Sequence, residues 1–268
     1  MISGAATPWR TSFFTKSEVD AMKYFAKIKY LGTAFHGYQI QPAERTVMGE
    51  LCSGLAQGLG VPCKVTGCSR TDAGVHANEF CVAIEADGAT VPPSKLPVAV
   101  ARYLPNDLSL YYATECDDDF HPRYDVVSKE YLYRIKNAPV YDPFEFGRAW
   151  FVARPISDEM VEKMNEAAAC FVGRHDFCAF MSEGSDVTDT VREIFYLNVV
   201  KSGDLIEIKV CADGFLYNMV RIIVGTLIEV AFGRIAPCDI EGIISACDRS
   251  RAGMTAPPEG LYLNKVTY

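Results

Sequence analysis

Positive charge is in the minority in this chain. Lys and Arg number 26 against 34 Asp and Glu, for a formal net charge of −8. A protein that coats nucleic acid indiscriminately is basic overall, so that class is excluded, although local basic patches are not. Metal-ligand spacing is also missing. The ten cysteines, at 52, 63, 68, 81, 116, 170, 178, 211, 238 and 247, include no CxxC pair, and the four His are scattered at 36, 76, 121 and 175. No zinc site is legible in that pattern. Most of the cysteines fall within apolar patterns and are expected as buried free thiols, which suits a reducing cytosol. The first residues, MISGAATPWRTSFFTK, lack the basic n-region and apolar h-region of a secretory signal. The one long apolar run, 215–232, contains Asn218, Arg221 and Glu229. Two charges within it argue against a membrane span and for a buried amphipathic helix.

What is there is a globular pattern. The 268 residues are 49% apolar, enough for one or two domains with a substantial core. Residues 1–21 show little periodicity and read as an extension. KYFAKIKY (23–30) alternates as a strand, with Lys23, Lys27 and Lys29 on one face. TVMGELCSGLAQGLG reads as a helix between a Thr46 cap and a Gly60 stop. Strands are expected at 61–67, 79–86 and 108–116, with a helix over 94–104. The order is β-α-β-β-α-β, the ferredoxin-like plan. The second half repeats it: a strand at 130–136, a helix capped by Ser157, a hairpin over 192–213, the helix of the apolar run, an inserted short helix at 238–248 and a terminal strand at 260–268. The expected class is α+β, with two ferredoxin-like (RRM-like) halves of mainly antiparallel sheet dividing near residue 122.

GCSRTDAGVHA (67–77) is a long loop between two strands that should pair. Asp72 can serve simply as a turn residue, with Gly74 supplying positive φ. Alternatively, a guanidinium such as Arg70 holds Asp72 ionised and oriented, making it a nucleophile or general base. His76 is expected to be structural, and His175 and Asp176 to form a turn after a helix. A non-catalytic RNA-binding module on the same plan would want an RRM signature, which is missing. A phosphate-ester hydrolase using Asp72 and His76 would want metal ligands or a second nucleophile, and neither is evident.

Taken whole, GCSRTDAGVHA resembles the active-site motif of the tRNA pseudouridine synthase A family. GTAFHGYQIQ (32–41), YLPNDL (103–108), FHPRYDVVSKEYLYRI (120–135), GRHDFCAF (173–180), FLYNMVRIIVG (215–225) and APPEGLYL (256–263) resemble further family segments in the same order. Ser69 departs from the family, which often carries Gly before the Arg, and the extension has no counterpart. The resemblance implies a pseudouridine synthase fold, two similar sheets joined across a central cleft, and an isomerase acting on uridines 38–40 of the tRNA anticodon stem-loop. It also implies a homodimer in the cytoplasm, with no cofactor, metal or membrane. It assigns catalysis to Asp72, with Tyr131 stacking on the base and Arg221 beside the carboxylate. It assigns Arg70 either to the gap left by the displaced base or to a grip on the RNA backbone, and Leu261 to an apolar wall. Lys27, Lys29, Arg123 and Lys129 are the candidate phosphate contacts. Binding RNA at a net charge of −8 calls for an acidic outer surface and a positive cleft.

Overall fold

The computed structural model describes residues 22–184 and 187–268. The extension expected over 1–21 lies outside the described residues. The elements, in chain order, are β1 (Met22–Tyr30), α1 (Val47–Leu59), β2 (Lys64–Gly67), β3 (His76–Ala86), α2 (Leu96–Ala101) and β4 (Leu108–Glu115). They continue with β5 (Ser128–Asn137), β6 (Trp150–Val152), α3 (Asp158–Ala169), β7 (Gly173–Asp176), β8 (Val191–Ser202), β9 (Leu205–Ala212), α4 (Met219–Ala231), α5 (Ile240–Ala246) and β10 (Leu261–Thr267). The class is α+β, built on one mixed sheet of ten strands in the order β4-β1-β3-β10-β5-β9-β8-β7, with β2 also on β3 and β6 also on β5.

Local chemistry explains most of these elements. In β1, Tyr24, Ala26, Ile28 and Tyr30 are buried while Lys29 is exposed, the alternation of a strand with one covered face. The Thr46 side chain accepts the Gly49 N–H at the start of α1, and Gly60 ends the helix in a left-handed conformation. Ser157 caps α3 in the same way, with Asp158 and Glu159 in its first turn, where the helix dipole favours them. In α4 every residue is buried except Arg221 and Glu229. The two charges that argued against a membrane span thus mark the helix's accessible positions. Among the described residues, no helix is long and apolar enough to cross a membrane.

β6 and β7, of three and four residues, went unseen because a run that short carries no period. α4 begins at Met219, not at 215, because Asn218 sits at φ 60° and breaks the helical path. β3 begins at His76, so that residue belongs to a strand rather than a loop. Cys178 and Cys247, 69 residues apart, are joined in a disulfide, which corrects the expectation of free thiols for those two, and of the eight free cysteines only Cys68, Cys81 and Cys211 are buried, fewer than expected. Contacts across that separation leave no trace in spacing.

The two sets of strands meet where β10 lies parallel to β3, pairing Tyr262 with His76 and Leu263 with Ala77. β10 also pairs antiparallel with β5. This junction sets the Asp72 loop, which runs into β3, beside Tyr131 on β5. A strap at 253–256 crosses α4 closely: a Cβ on Gly225 would sit 1.8 Å from the Met254 carbonyl oxygen. That approach brings the Ala256 carbonyl to Arg221.

Candidate active site

The Asp72 loop is fixed by its backbone. The Val75 N–H donates to the Asp72 carbonyl at 3.2 Å, and Gly74 turns the chain at φ 81°. The Tyr38 N–H donates to the Thr71 carbonyl at 3.0 Å, and the Gly74 N–H to the Phe35 carbonyl at 3.3 Å. The buried Thr71 hydroxyl shares a 2.8 Å hydrogen bond with the Tyr30 hydroxyl. The segment 32–41 is therefore the loop's brace. It begins with Gly because a Cβ on Gly32 would lie 1.9 Å from the Val75 carbonyl oxygen.

Asp72 makes the turn with its backbone and leaves its carboxylate free to face a cavity. Oδ2 lies 3.6 Å from Nη1 of Arg221, and the two side chains are 38% and 15% exposed. Burial pushes the Asp72 carboxyl above its ordinary value, and the Arg221 guanidinium opposes that push without cancelling it. Arg221 is itself held at three points. Its Nε donates to the Ala256 carbonyl at 2.7 Å and its Nη1 to Asn218 Oδ1 at 2.8 Å, while Asp72 supplies the charge. Asn218 in turn donates to the Ser182 hydroxyl at 3.0 Å. Its left-handed backbone turns the side chain back toward Arg221, an uncommon conformation retained where surrounding contacts determine it. The expectation that Arg70 holds the carboxylate is not met. The cation on Asp72 is Arg221, the neighbour that the family resemblance implies, and Arg70 is exposed at the cavity wall, where water competes for its guanidinium.

The cavity measures about 820 Å³, and the described residues bring Arg70, Asp72, Arg123, Lys129, Tyr131, Arg221 and Leu261 together around it. Tyr131 is 7% exposed and meets Phe215 edge-on, with centroids 5.0 Å apart. Burial raises its hydroxyl pKa, so the ring is a neutral phenol at physiological pH. Leu261, 6% exposed, supplies an apolar surface at the start of β10. Lys129 is half-buried, and burial lowers its pKa. With Glu183, the described lining carries four basic and two acidic side chains, in a chain whose net charge is −8. The expected positive cleft is present at this cavity.

Other candidates lie elsewhere. Lys27 pairs with Glu79 at 2.8 Å, and Lys29 lies 4.5 Å over the Tyr111 ring. Both stand on the face of β1 turned away from the buried side, outside the cavity. His76 is fully buried. Its Nδ1 accepts the Gly32 N–H at 2.8 Å, and its Nε2 meets the Glu259 carbonyl at 3.1 Å. Burial lowers its pKa to about 4, so it is a neutral structural link between the loop's brace and the approach to β10. His175 and Asp176 lie in strand β7, paired with β8, which corrects the expectation of a turn; their side-chain bonds are nonetheless local, His175 to the Val172 carbonyl and Asp176 from the Cys178 N–H. Asp176, Cys178 and Cys247 form a cluster of metal-ligand type, but the two sulfurs are bonded to each other and the cluster does not line the cavity. Asn218 and Ala256, which position Arg221, were not singled out from the sequence. A polar Asn three residues before the Arg, in an otherwise apolar run, was the available signal.

The family profile described as tRNA pseudouridine synthase matches residues 167–268. Curated relatives match almost the whole chain. A tRNA pseudouridine synthase A of Thermoanaerobacter sp. (strain X514) is 40% identical over 241 residues, covering 90% of this chain and 97% of its own length. One from Ruminiclostridium cellulolyticum is 42% identical over 242 residues, with the same coverage. One from Staphylococcus aureus is 38% identical over 245 residues, covering 91% of each chain.

Proposed function

The chain belongs to the tRNA pseudouridine synthase A family, and from that premise we propose that it isomerises uridine to pseudouridine in the anticodon stem-loop of tRNA, with Asp72 as the catalytic carboxylate. One observation carries the reading. A carboxylate lies in a cavity between the strand sets, held by a single guanidinium and backed by a buried aromatic ring.

The reaction breaks the bond from C1′ to N1 of the base, turns the uracil, and joins C5 to C1′. The hydrogen on C5 leaves as a proton and N1 gains one, so atoms and electrons balance without a redox step or an acyl or phosphoryl acceptor. The chemistry therefore requires no cofactor. Asp72 can attack C1′, attack the base, or remove a ribose proton. All three routes need its ionised form in a site shielded from water. Arg221 keeps that form accessible against the cost of burial. Tyr131 holds the detached uracil by its ring face, and Leu261 forms the opposing apolar wall. Taking a uridine out of its stack costs about a few kcal/mol, and Arg70, exposed at the cavity wall, offsets it either by filling the gap that the uridine leaves or by gripping the RNA backbone beside it. Arg123 and Lys129 hold phosphates at the cavity. Lys27 and Lys29 are assigned to RNA that extends beyond it.

Two ferredoxin-like halves, 22–122 and 123–268, are part of the same proposal. The order β4-β1-β3-β2 in the first and β10-β5-β9-β8 in the second supports them, since both read 4-1-3-2 when each half's four main strands are numbered from its own start. A cytoplasmic homodimer is proposed from family membership.

Incubating the purified protein with unmodified tRNA and mapping pseudouridine tests the function. Modification confined to the anticodon arm is expected. Modification confined to another arm contradicts the assignment.

A further inference from the structure

Beside the cavity around Asp72 lies a smaller groove of about 190 Å³. Ser69, Arg70 and Arg123 line both spaces. The groove also carries His121 and Tyr124, which the mechanism above does not use. Their rings stack with centroids 4.2 Å apart and planes 29° apart, and Tyr124 is 75% exposed.

The turn that presents this ring is built firmly. The N–H groups of Tyr124 and Asp125 both donate to the His121 carbonyl at 3.1 Å. The His121 N–H donates to Asp125 Oδ2 at 2.7 Å, and the Arg123 N–H to His121 Nδ1 at 3.1 Å. The Tyr268 hydroxyl donates to the Pro122 carbonyl at 2.8 Å. A large ring held rigid in water presents a stacking face at little entropic cost to a ligand. Arg70 and Arg123, which line both spaces, form no ion pair among the described residues, and the Arg123 guanidinium lies 5.9 Å from the Tyr124 ring centre, within reach of a nucleotide stacked there. Two like charges lining one groove favour an anion there.

We propose that the groove is a second base subsite. A nucleotide adjacent to the target uridine lays its base on the Tyr124–His121 stack, and Arg70 and Arg123 hold the phosphate linking the two nucleotides. The proposal rests on reading the larger cavity as the uridine site. It gives the neighbour of an extruded uridine a new stacking partner, and it does so with little regard to base identity, because every base offers a π-face.

The test uses a stem-loop RNA with 2-aminopurine on one side or the other of the target uridine, bound to the Asp72→Asn protein so that no reaction intervenes. On one of the two sides, binding quenches the fluorescence, and Tyr124→Ala or Tyr124→Leu abolishes the quenching while Tyr124→Phe preserves it. In the otherwise wild-type enzyme, Tyr124→Ala raises KM for tRNA roughly tenfold, with a smaller change in kcat. Quenching and KM that are both indifferent to Tyr124, in an enzyme that modifies the anticodon arm, overturn the subsite alone. Quenching that depends on Tyr124, in a protein that makes no pseudouridine, leaves the subsite standing and removes the catalytic reading.

Discussion

Two Arg–Asp pairs in this molecule use the same side chains in opposite ways. Arg45 grips Asp107 with both terminal nitrogens, each bond 2.8 Å, while its Nε meets Glu50 at 3.1 Å and its guanidinium lies 4.2 Å from the Phe35 ring centre. Those hydrogen bonds pull the Asp107 carboxyl below its ordinary value. Arg221 meets Asp72 by one contact at 3.6 Å and directs its short hydrogen bonds to Ala256 and Asn218 instead. There burial prevails, and the carboxyl moves up. A fully paired carboxylate is a clamp with little capacity left to react. An under-paired one in a cavity is charged enough to act and loosely enough held to do so. The first pair joins 45 to 107 and fastens the fold; the second joins 72 to 221 and faces the cavity.

Exchanging the cations sharpens this contrast most. Arg221→Gln is expected to lower kcat/KM about 100-fold, the scale of losing one well-placed charge donor at a reacting group. It should also move the acid limb of the pH profile. In the proposed role Asp72 works ionised, so activity is expected to rise with pH through its carboxyl pKa, which already lies above the ordinary value. Without the guanidinium that opposes burial, the limb shifts to still higher pH. Arg45→Gln should leave the limb in place and instead destabilise the fold by about 1–2 kcal/mol, measured by urea unfolding. A limb that moves equally in both variants breaks the comparison.

His76 supplies the smaller, pH-linked test. Its folded pKa is about 4 against an ordinary 6.5. A depressed value means the neutral ring's contribution is complete above pH 6.5 and is lost as pH falls toward 4, a decline of roughly 3 kcal/mol. Unfolding free energies measured across that window should show this slope, and His76→Gln should flatten it. Asp107 contributes in a lower window, below the ordinary Asp value, because its carboxyl is depressed. The two slopes separate loss of fold from loss of Asp72 ionisation when activity is followed into acid.

The order of the main strands and helices was legible because each carries its own period, as β1 and α4 show. The Asp72 loop was legible as a motif, and Arg221 as a charge in an apolar helix that demands a carboxylate. What sequence could not supply was contact between distant segments. The parallel join of β10 to β3 and the Cys178–Cys247 bond both depend on how sheets and loops meet. Lys27 and Lys29 share a face with ordinary strand periodicity, which does not reveal that the cavity opens elsewhere.

The most direct test of the under-paired carboxylate follows the hydrogen on C5. In tRNA labelled with tritium at uridine C5, joining that carbon to C1′ releases the label to water. The wild-type protein should release it, while Asp72→Asn should bind the same tRNA and release at least roughly 1,000-fold more slowly. Release by Asp72→Asn at the wild-type rate would contradict the account.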